Sequence, residues 1–258
     1  MDRGDVSTVR AALDRRHAIL TAVGTEIVDK RELTEQVTVS RSTVDRGVRE
    51  LERLGLIERV NGGFRRTLVG TLALAEYDRA TERLEALAAA ADVLSHLPAD
   101  VEVDPSVLLG ADVVEATSET PYRPLSYQNE LVRGADRIYA CATAVVPPQV
   151  EFYYNELVEN GLELTVITAD ATLDLLVSEH YERLVNALDT GRCEMFLVDE
   201  PIHYSVVVAE RPAGDEMLVS VYDDGIVGTI GNSRPEAVAW AEDRVEAYLA
   251  DAEAVPRP

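Results

Sequence analysis

Apolar and polar positions repeat with three different periods along this chain, and the changes of period mark out its elements. From Val9 to Val23 the apolar residues return at helical spacing, with Val9, Leu13, Ala18, Ile19 and Ala22 or Val23 on one side. Residues 1–9 are polar and read as a loose terminus. Lys30 to Val37 predicts a short helix with Leu33, Gln36 and Val37 inward, and Thr38, Val39 and Ser40 form a turn. Ser40 is a helix N-cap, because its hydroxyl can accept a backbone N–H that the next helix leaves unpaired. That helix carries Val44, Val48, Leu51 and Leu54 as its inward stripe and ends at Gly55, a glycine just past the last turn. Two β-prone runs then flank Asn61-Gly62-Gly63, which predicts a hairpin. Helix, three-residue turn, capped helix and hairpin together predict a winged helix-turn-helix over 1–70.

The second period is a heptad. Ala73, Tyr77, Ala80, Leu84, Leu87, Ala91 and Leu94 form one seam in a stretch, 71–97, that has neither proline nor glycine. This predicts a long helix over 71–98 that pairs with its copy in a second subunit. The alternative is a stripe packed on the chain's own C-terminal half.

The third pattern, over 99–258, alternates short apolar runs with helical stretches. Strands are predicted at 107–109, 112–116, 137–143, 162–168, 193–198, 204–209, 217–222 and 226–230. Helices are predicted at 126–132, 147–160, 172–188 and 234–250. Strand–helix–strand–helix–strand followed by hairpins implies a mixed sheet covered by helices. The fold class is thus α+β / α/β: a winged helix-turn-helix, a long dimerisation helix and a C-terminal mixed-sheet α/β sensor domain.

Charge separates these regions further. The formal net charge of −23 is uneven: residues 1–70 hold 13 Lys+Arg against 11 Asp+Glu, whereas 71–258 hold 11 against 36. The acid lies away from the segment expected to meet nucleic acid. Lys30 is the single lysine beside 23 arginines, a composition resembling that of proteins from salt-accumulating halophiles. Salt of that strength screens charge over a few ångströms. In a winged module the capped helix enters the major groove with residues near its N-terminus at base edges. The candidate DNA contacts are therefore Ser40, Arg41, Ser42, Thr43, Arg46 and Arg49, with Arg65 and Arg66 of the hairpin at the backbone or minor groove.

Other chemistry is sparse. There is no P-loop, G-x-S-x-G, G-x-G-x-x-G opening a helix or H-E-x-x-H, and the four histidines are scattered, so neither catalysis, a metal nor a cofactor is expected. His203-Tyr204-Ser205 lacks the nearby Lys and Asp of a phospholipase D type motif. His17 reads as a solvated histidine. Cys141 and Cys193 are expected on neighbouring strands as small buried hydrophobes. No apolar run approaches membrane-spanning length and no signal peptide opens the chain, so a soluble, cytoplasmic protein is expected. Small molecules bind beyond the carboxyl ends of parallel strands in open α/β sheets. Thr143, Thr168, Asp170, His203 and Tyr204, with Tyr122 of the preceding loop, are the candidate effector pocket on that ground.

The chain resembles the haloarchaeal winged-helix regulators whose C-terminal half is the output domain first described in a methanogenesis regulatory protein. The resemblance rests on VSRSTVDRGVRELERLGLIER (39–59), ETPYRPL (119–125), VVPP (145–148), ELVENGLELTVIT (156–168), CEMFLVDEPIHYSVVV (193–208), LVSVYDDGIVGTI (218–230) and RPEAVAWAEDRVEAY (234–248). It covers nearly all of 10–250. It implies a dimeric regulator binding double-stranded DNA, with an output domain that senses an unidentified signal. It supplies no ligand contacts. Two other classes stay open: an adaptor whose winged domain binds the transcription machinery, and an enzyme fused to a DNA-binding domain.

Overall fold

The computed structural model describes residues 5–256. The chain forms two compact units, divided between Leu84 and Glu85. The expected segment 71–98 is therefore shared between them.

The first unit is built from helices α1 (Val6–Ala22), α2 (Lys30–Gln36) and α3 (Arg41–Arg53), then strands β1 (Ile57–Val60) and β2 (Gly63–Arg66). Part of the terminus read as loose is helical: Asp5 caps α1 by accepting the Thr8 N–H at 2.9 Å. Residues 1–4 of that terminus lie outside the described residues. Inward from α1 are Ala12, Leu13, Ile19 and Leu20, while Ala18 is exposed. Ala18 falls about 100° round the helix from Ile19, far enough to leave a stripe this narrow. Gln36 is likewise exposed; α2 buries Leu33 and its C-cap Val37. From α3, Val44, Gly47, Val48 and Leu51 face the core. Gly47 is where α1 crosses: a Cβ there would stand 2.5 Å from Ile19 Cδ1.

Asn61 (φ 45°) and Gly62 (φ 84°) both take left-handed backbone, as a two-residue turn between right-twisted strands requires. Val28 adds a bridge to Phe64, exchanging N–H···O bonds of 3.0 and 2.9 Å. The next helix, α4 (Leu68–Ala89), leaves the hairpin at Thr67. The Thr67 hydroxyl donates to Gly55 O at 2.7 Å and accepts the Gly70 N–H at 3.0 Å. A Cβ at Gly70 would fall 1.9 Å from Leu56 O, so the start of α4 approaches the hairpin backbone to a distance only glycine permits.

The long helix expected over 71–97 is interrupted. α4 ends at Ala89, Ala90 leaves helical geometry (φ −98°, ψ 1°), and α5 (Ala91–Leu94) follows. Ala90 and Val93 are buried in the core of the second unit. Tertiary packing has overridden a stretch of strong helix formers. The heptad seam is divided accordingly. Ala73 and Tyr77 pack on the first unit's core and Leu94 on the second's, whereas Ala80, Leu84 (58% exposed), Leu87 (48%) and Ala91 stay exposed.

The second unit holds an eight-stranded mixed sheet in the order β10-β6-β5-β4-β7-β8-β9-β3. Its strands are β3 (Asp112–Glu115), β4 (Arg137–Ala142), β5 (Glu163–Thr168), β6 (Cys193–Leu197), β7 (Ser205–Glu210), β8 (Glu216–Tyr222), β9 (Ile226–Asn232) and β10 (Glu253–Ala254). β4, β5 and β6 are parallel, and the remaining pairings are antiparallel. The expected strand 107–109 does not form: Val107 closes a 3-10 turn, Pro105–Val107, and residues 108–110 continue as a turn, because Asp104 caps the 3-10 turn through the Ser106 N–H at 2.8 Å and proline fixes its first φ. α6 (Arg123–Val132), α7 (Pro147–Glu159) and α8 (Asp170–Asp189) lie on one face of the sheet, and α9 (Pro235–Asp251) on the other. α8 is kinked at His180 (φ −135°, ψ 27°). Strand alternation sorts the side chains: Val206 and Val208 go to the α9 face, Val207 and Ala209 to the α6–α8 face.

Among the described residues, no helix is long and apolar enough to cross a membrane.

Candidate nucleic-acid interface and ligand cavity

Ser40 ends its turn extended (φ −64°, ψ 151°), and its Oγ accepts the Thr43 N–H at 3.3 Å. The same oxygen lies 3.0 Å from Ser42 Oγ and 2.9 Å from Thr43 Oγ1, so the three hydroxyls form one cluster at the start of α3. Arg41, Ser42, Arg46 and Arg49 are exposed beside it. The Arg46 side chain lies back along α3, its Nε donating to Ser42 O at 3.3 Å.

The inner arginines of this unit are spent on structure. Arg15 and Arg16 of α1 hold Glu50 of α3 at 2.7 and 2.8 Å. Burial by itself would raise the Glu50 carboxyl, but the bonds from Arg16 and Arg15 bring it below the usual range. Lys30 pairs with Asp45 and lowers that carboxyl, so Asp45 is tied to α2, and Glu52, on the same side of α3, is 3.5 Å from Arg59. Among the described residues, Arg41, Arg46 and Arg49 have no ion pair.

The hairpin separates its two arginines. Arg65 is exposed, with Nε donating to Glu58 at 3.0 Å. Arg66, one residue on, points to the opposite side, half-buried along Gly70 with its Nε unpartnered. The alternation of the strand sends the two side chains to opposite sides of the hairpin. Arg59 lies over the Phe64 ring at 4.9 Å. His17 is not simply solvated: its Nε2 is 2.6 Å from Asp78 Oδ1, and its ring leans on Tyr77.

The second unit contains a cavity of about 180 Å³ between α6–α8 and the sheet. Its floor includes Ala140, Leu164, Val166, Met195 and Val207, and its cover includes Tyr153, Leu157, Leu176 and Leu184. One end is polar. Gln149 Nε2 donates to Gln128 Oε1 at 2.6 Å, and Gln128 Nε2 donates to Ser220 Oγ at 2.7 Å and Thr229 Oγ1 at 3.0 Å. Tyr222 borders this network; burial raises its hydroxyl pKa and a bond with Gln128 opposes the rise.

Of the six pocket residues expected from topology, Thr168 lines the cavity, its hydroxyl donating to Ala142 O at 2.8 Å. Thr143 adjoins it: its N–H donates to the lining residue Ser205 at 3.1 Å. The other four are elsewhere. Tyr204 precedes Ser205 and so falls on the α9 face, stacked on Trp240 and donating to Glu102 O at 2.7 Å. Tyr122 is 68% exposed, and Asp170 and His203 are exposed at the strand ends. The cavity reaches the carboxyl ends of β4 and β5 through Ala144, Val145, Val146 and Thr168, and extends from there beneath α7 and α8. Sequence reading missed Gln128, Gln149, Ser220 and Thr229. Their one legible signal was a polar side chain interrupting an apolar run, as Ser220 does within LVSVY.

Both cysteines are buried on the strands expected of them, but those strands are not neighbours. β5 separates β4 from β6, and Cys141 faces α9 while Cys193 faces α6–α8. Burial pushes their thiols up to about 12 and about 11. Among the described residues, no group of three His, Cys, Asp or Glu could hold a metal ion.

Residues 121–251 match the family model described as methanogenesis regulatory protein FilR1, middle domain, and residues 5–89 match the HVO_A0261 N-terminal domain. No curated protein matches the chain. Among solved structures it is similar to TrmBL2, an archaeal chromatin protein described with a novel mode of DNA binding, at 15% identity over 97% of this chain and 100% of that one, with a TM-score of 0.44. It is also similar to Nuc, a phospholipase D family member from Salmonella typhimurium, at 8% identity over 56% of this chain and 97% of that one, with a TM-score of 0.43. At such scores neither likeness bears on what this chain binds.

Proposed function

The chain belongs to the family of the methanogenesis regulatory protein FilR1 middle domain, and from that premise we propose that it is a sequence-specific, DNA-binding transcriptional regulator. The observation that carries this reading is the outer side of α3, where Arg41, Arg46 and Arg49 stand exposed without ion pairs beside a hydroxyl cluster. In this reading the first unit is a winged helix-turn-helix, and α3 enters the major groove. Ser40, Ser42 and Thr43 contact bases or phosphate, and the arginines read guanine or hold phosphate. Arg65 exchanges Glu58 for a backbone phosphate, while Arg66 stays behind to hold α4 on the hairpin.

The active form is a homodimer, paired through the exposed part of α4 around Leu84 and Leu87. The second unit senses a small molecule, and the signal reaches DNA only if that molecule favours one dimer geometry over another. The protein works in a salt-rich cytoplasm. It is neither an enzyme nor dependent on a cofactor.

Fluorescence anisotropy in molar KCl tests this reading, with the gene's own upstream DNA against a scrambled sequence. Preference for the upstream DNA, lost in the R41A/R46A double variant, is the expected result. Equal binding to both DNAs, unchanged in the variant, would overturn it in favour of an adaptor that uses this unit to bind protein.

A further inference from the structure

The second unit's cavity is built for a particular chemistry. An engineered apolar cavity of about 150 Å³ takes benzene, so the space here, about 180 Å³, suits one aromatic ring with a small substituent. The walls are aliphatic and aromatic. The one charged side chain lining the cavity, Arg183, is 41% exposed and 3.7 Å from Glu151. A ligand carrying a charge would meet no buried counter-charge, and burying an unpaired charge is strongly unfavourable.

The polar end selects further. The two amides form a directed chain. Gln128 gives both N–H groups to Ser220 and Thr229, which turns its oxygen toward the N–H of Gln149. Gln149, only 8% exposed and lining the cavity, is left with Oε1 as a buried acceptor without a partner. A buried polar atom left unpaired costs about 1–3 kcal/mol. A ligand that brings an O–H or N–H to that oxygen recovers it, and one that brings another acceptor does not.

We propose that this cavity binds a neutral, single-ring aromatic molecule whose one hydrogen-bond donor, such as a phenolic O–H, is taken by Gln149 Oε1. The proposal deepens the sensing role given to the second unit and rests on it for its biological meaning. α8 is the entrance. It supplies Leu176, Arg183 and Leu184 to the cavity, packs Leu173 and Ala187 partly buried, buries Leu188, and is already broken at His180. A kinked helix whose inner residues are mostly only half-buried opens more readily than one fully packed.

The test uses the full chain in molar KCl, with phenol, its isostere toluene, and benzoate as probes in calorimetric titration. Phenol is expected to bind about five- to tenfold more tightly than toluene, the share of one hydrogen bond, and benzoate more weakly than either. Gln149→Met should level phenol with toluene. Ala187→Phe, which fills the cavity from α8, should abolish both while the circular dichroism spectrum is unchanged. Equal affinity of the wild type for phenol and toluene, or no binding of either ring, would overturn the proposal without need of any variant. Upstream-DNA anisotropy on the same samples separates the two readings. Phenol binding that leaves DNA affinity unchanged would retain the cavity and sink the sensing role. Specific DNA binding with no ring bound would sink the cavity proposal and leave the DNA-binding reading standing.

Discussion

The two units handle charge differently. In the first, carboxylates are matched to basic side chains that tie helix to helix: Arg15 and Arg16 hold Glu50 across α1 and α3, and Lys30 holds Asp45 across α2 and α3. In the second, arginines also pair with acids, as Arg137 with Glu163 and Arg211 with Glu216, but the acids outnumber them and carboxylates crowd one another. Burial raises the Glu242 carboxyl, and Asp215, Glu210, Glu246 and Asp243 add to the rise. Its interior polar work passes to neutral groups, the Gln128–Gln149–Ser220–Thr229 network. The difference shows that net charge is a poor guide to where recognition lies. A chain of −23 can still present unpaired arginines, provided the acids near them are already paired.

The comparison can be broken most sharply through the cores. Leu51→Ala in the first unit and Leu218→Ala in the second each remove a fully buried side chain and should cost about 2–5 kcal/mol. In scanning calorimetry each should lower one of two transitions. A single transition moved by both variants would mean that the units do not unfold independently. On DNA, Arg46→Ala should cost about 1–3 kcal/mol on the upstream sequence if Arg46 reads a base, with random DNA much less affected. Arg65→Ala should weaken both alike and flatten the salt dependence, as a phosphate contact does. L84E/L87E should turn a dimer into a monomer by light scattering in molar KCl, with helix content kept. A wild type already monomeric would remove α4 as the pairing surface.

Smaller effects follow from the carboxylates. The Glu50 carboxyl is lowered in the folded state, so its contribution is full above its ordinary value near 4.5 and fades as the pH falls through the lowered value. The acid-side loss of stability of the first unit should therefore shrink in Glu50→Gln, measured by chemical denaturation between about pH 6 and pH 3. Glu242 has the opposite sign. Its raised carboxyl favours the protonated folded form, so its contribution is lost as the pH rises through the raised value. Glu242→Gln should raise the Tm of the second unit slightly at neutral pH in dilute buffer, and the gain should vanish in molar KCl as screening removes the repulsion.

Legibility in the sequence followed the range of the interactions involved. The Ser40 cap, the Gly55 stop and the Asn61-Gly62 turn are each decided within about four residues, and all three stand where the local pattern placed them. The parallel core strands β4, β5 and β6 were legible as continuous apolar runs. What failed was parity and sharing. Tyr204 and Ser205 are neighbours in sequence, yet the pleat sends them to opposite faces of the sheet. Arg65 and Arg66 part for the same reason. The heptad seam was real as a pattern, but Ala73, Tyr77 and Leu94 are taken by the chain's own cores.

By itself the sequence determined the element types, the cap and turn geometry, the split of charge between the units and the basic outer side of α3, because each of these depends on neighbours in the chain or on composition. Only the tertiary structure decided that the helix breaks at Ala90, that Gly70 must lie against Leu56, and that two glutamines from α6 and α7 meet a serine and a threonine from β8 and β9 at the end of a cavity. Those depend on which distant segments share a volume. No periodicity carries that information, since burial of a polar group becomes favourable only once its partner, some 20 to 100 positions away, has arrived.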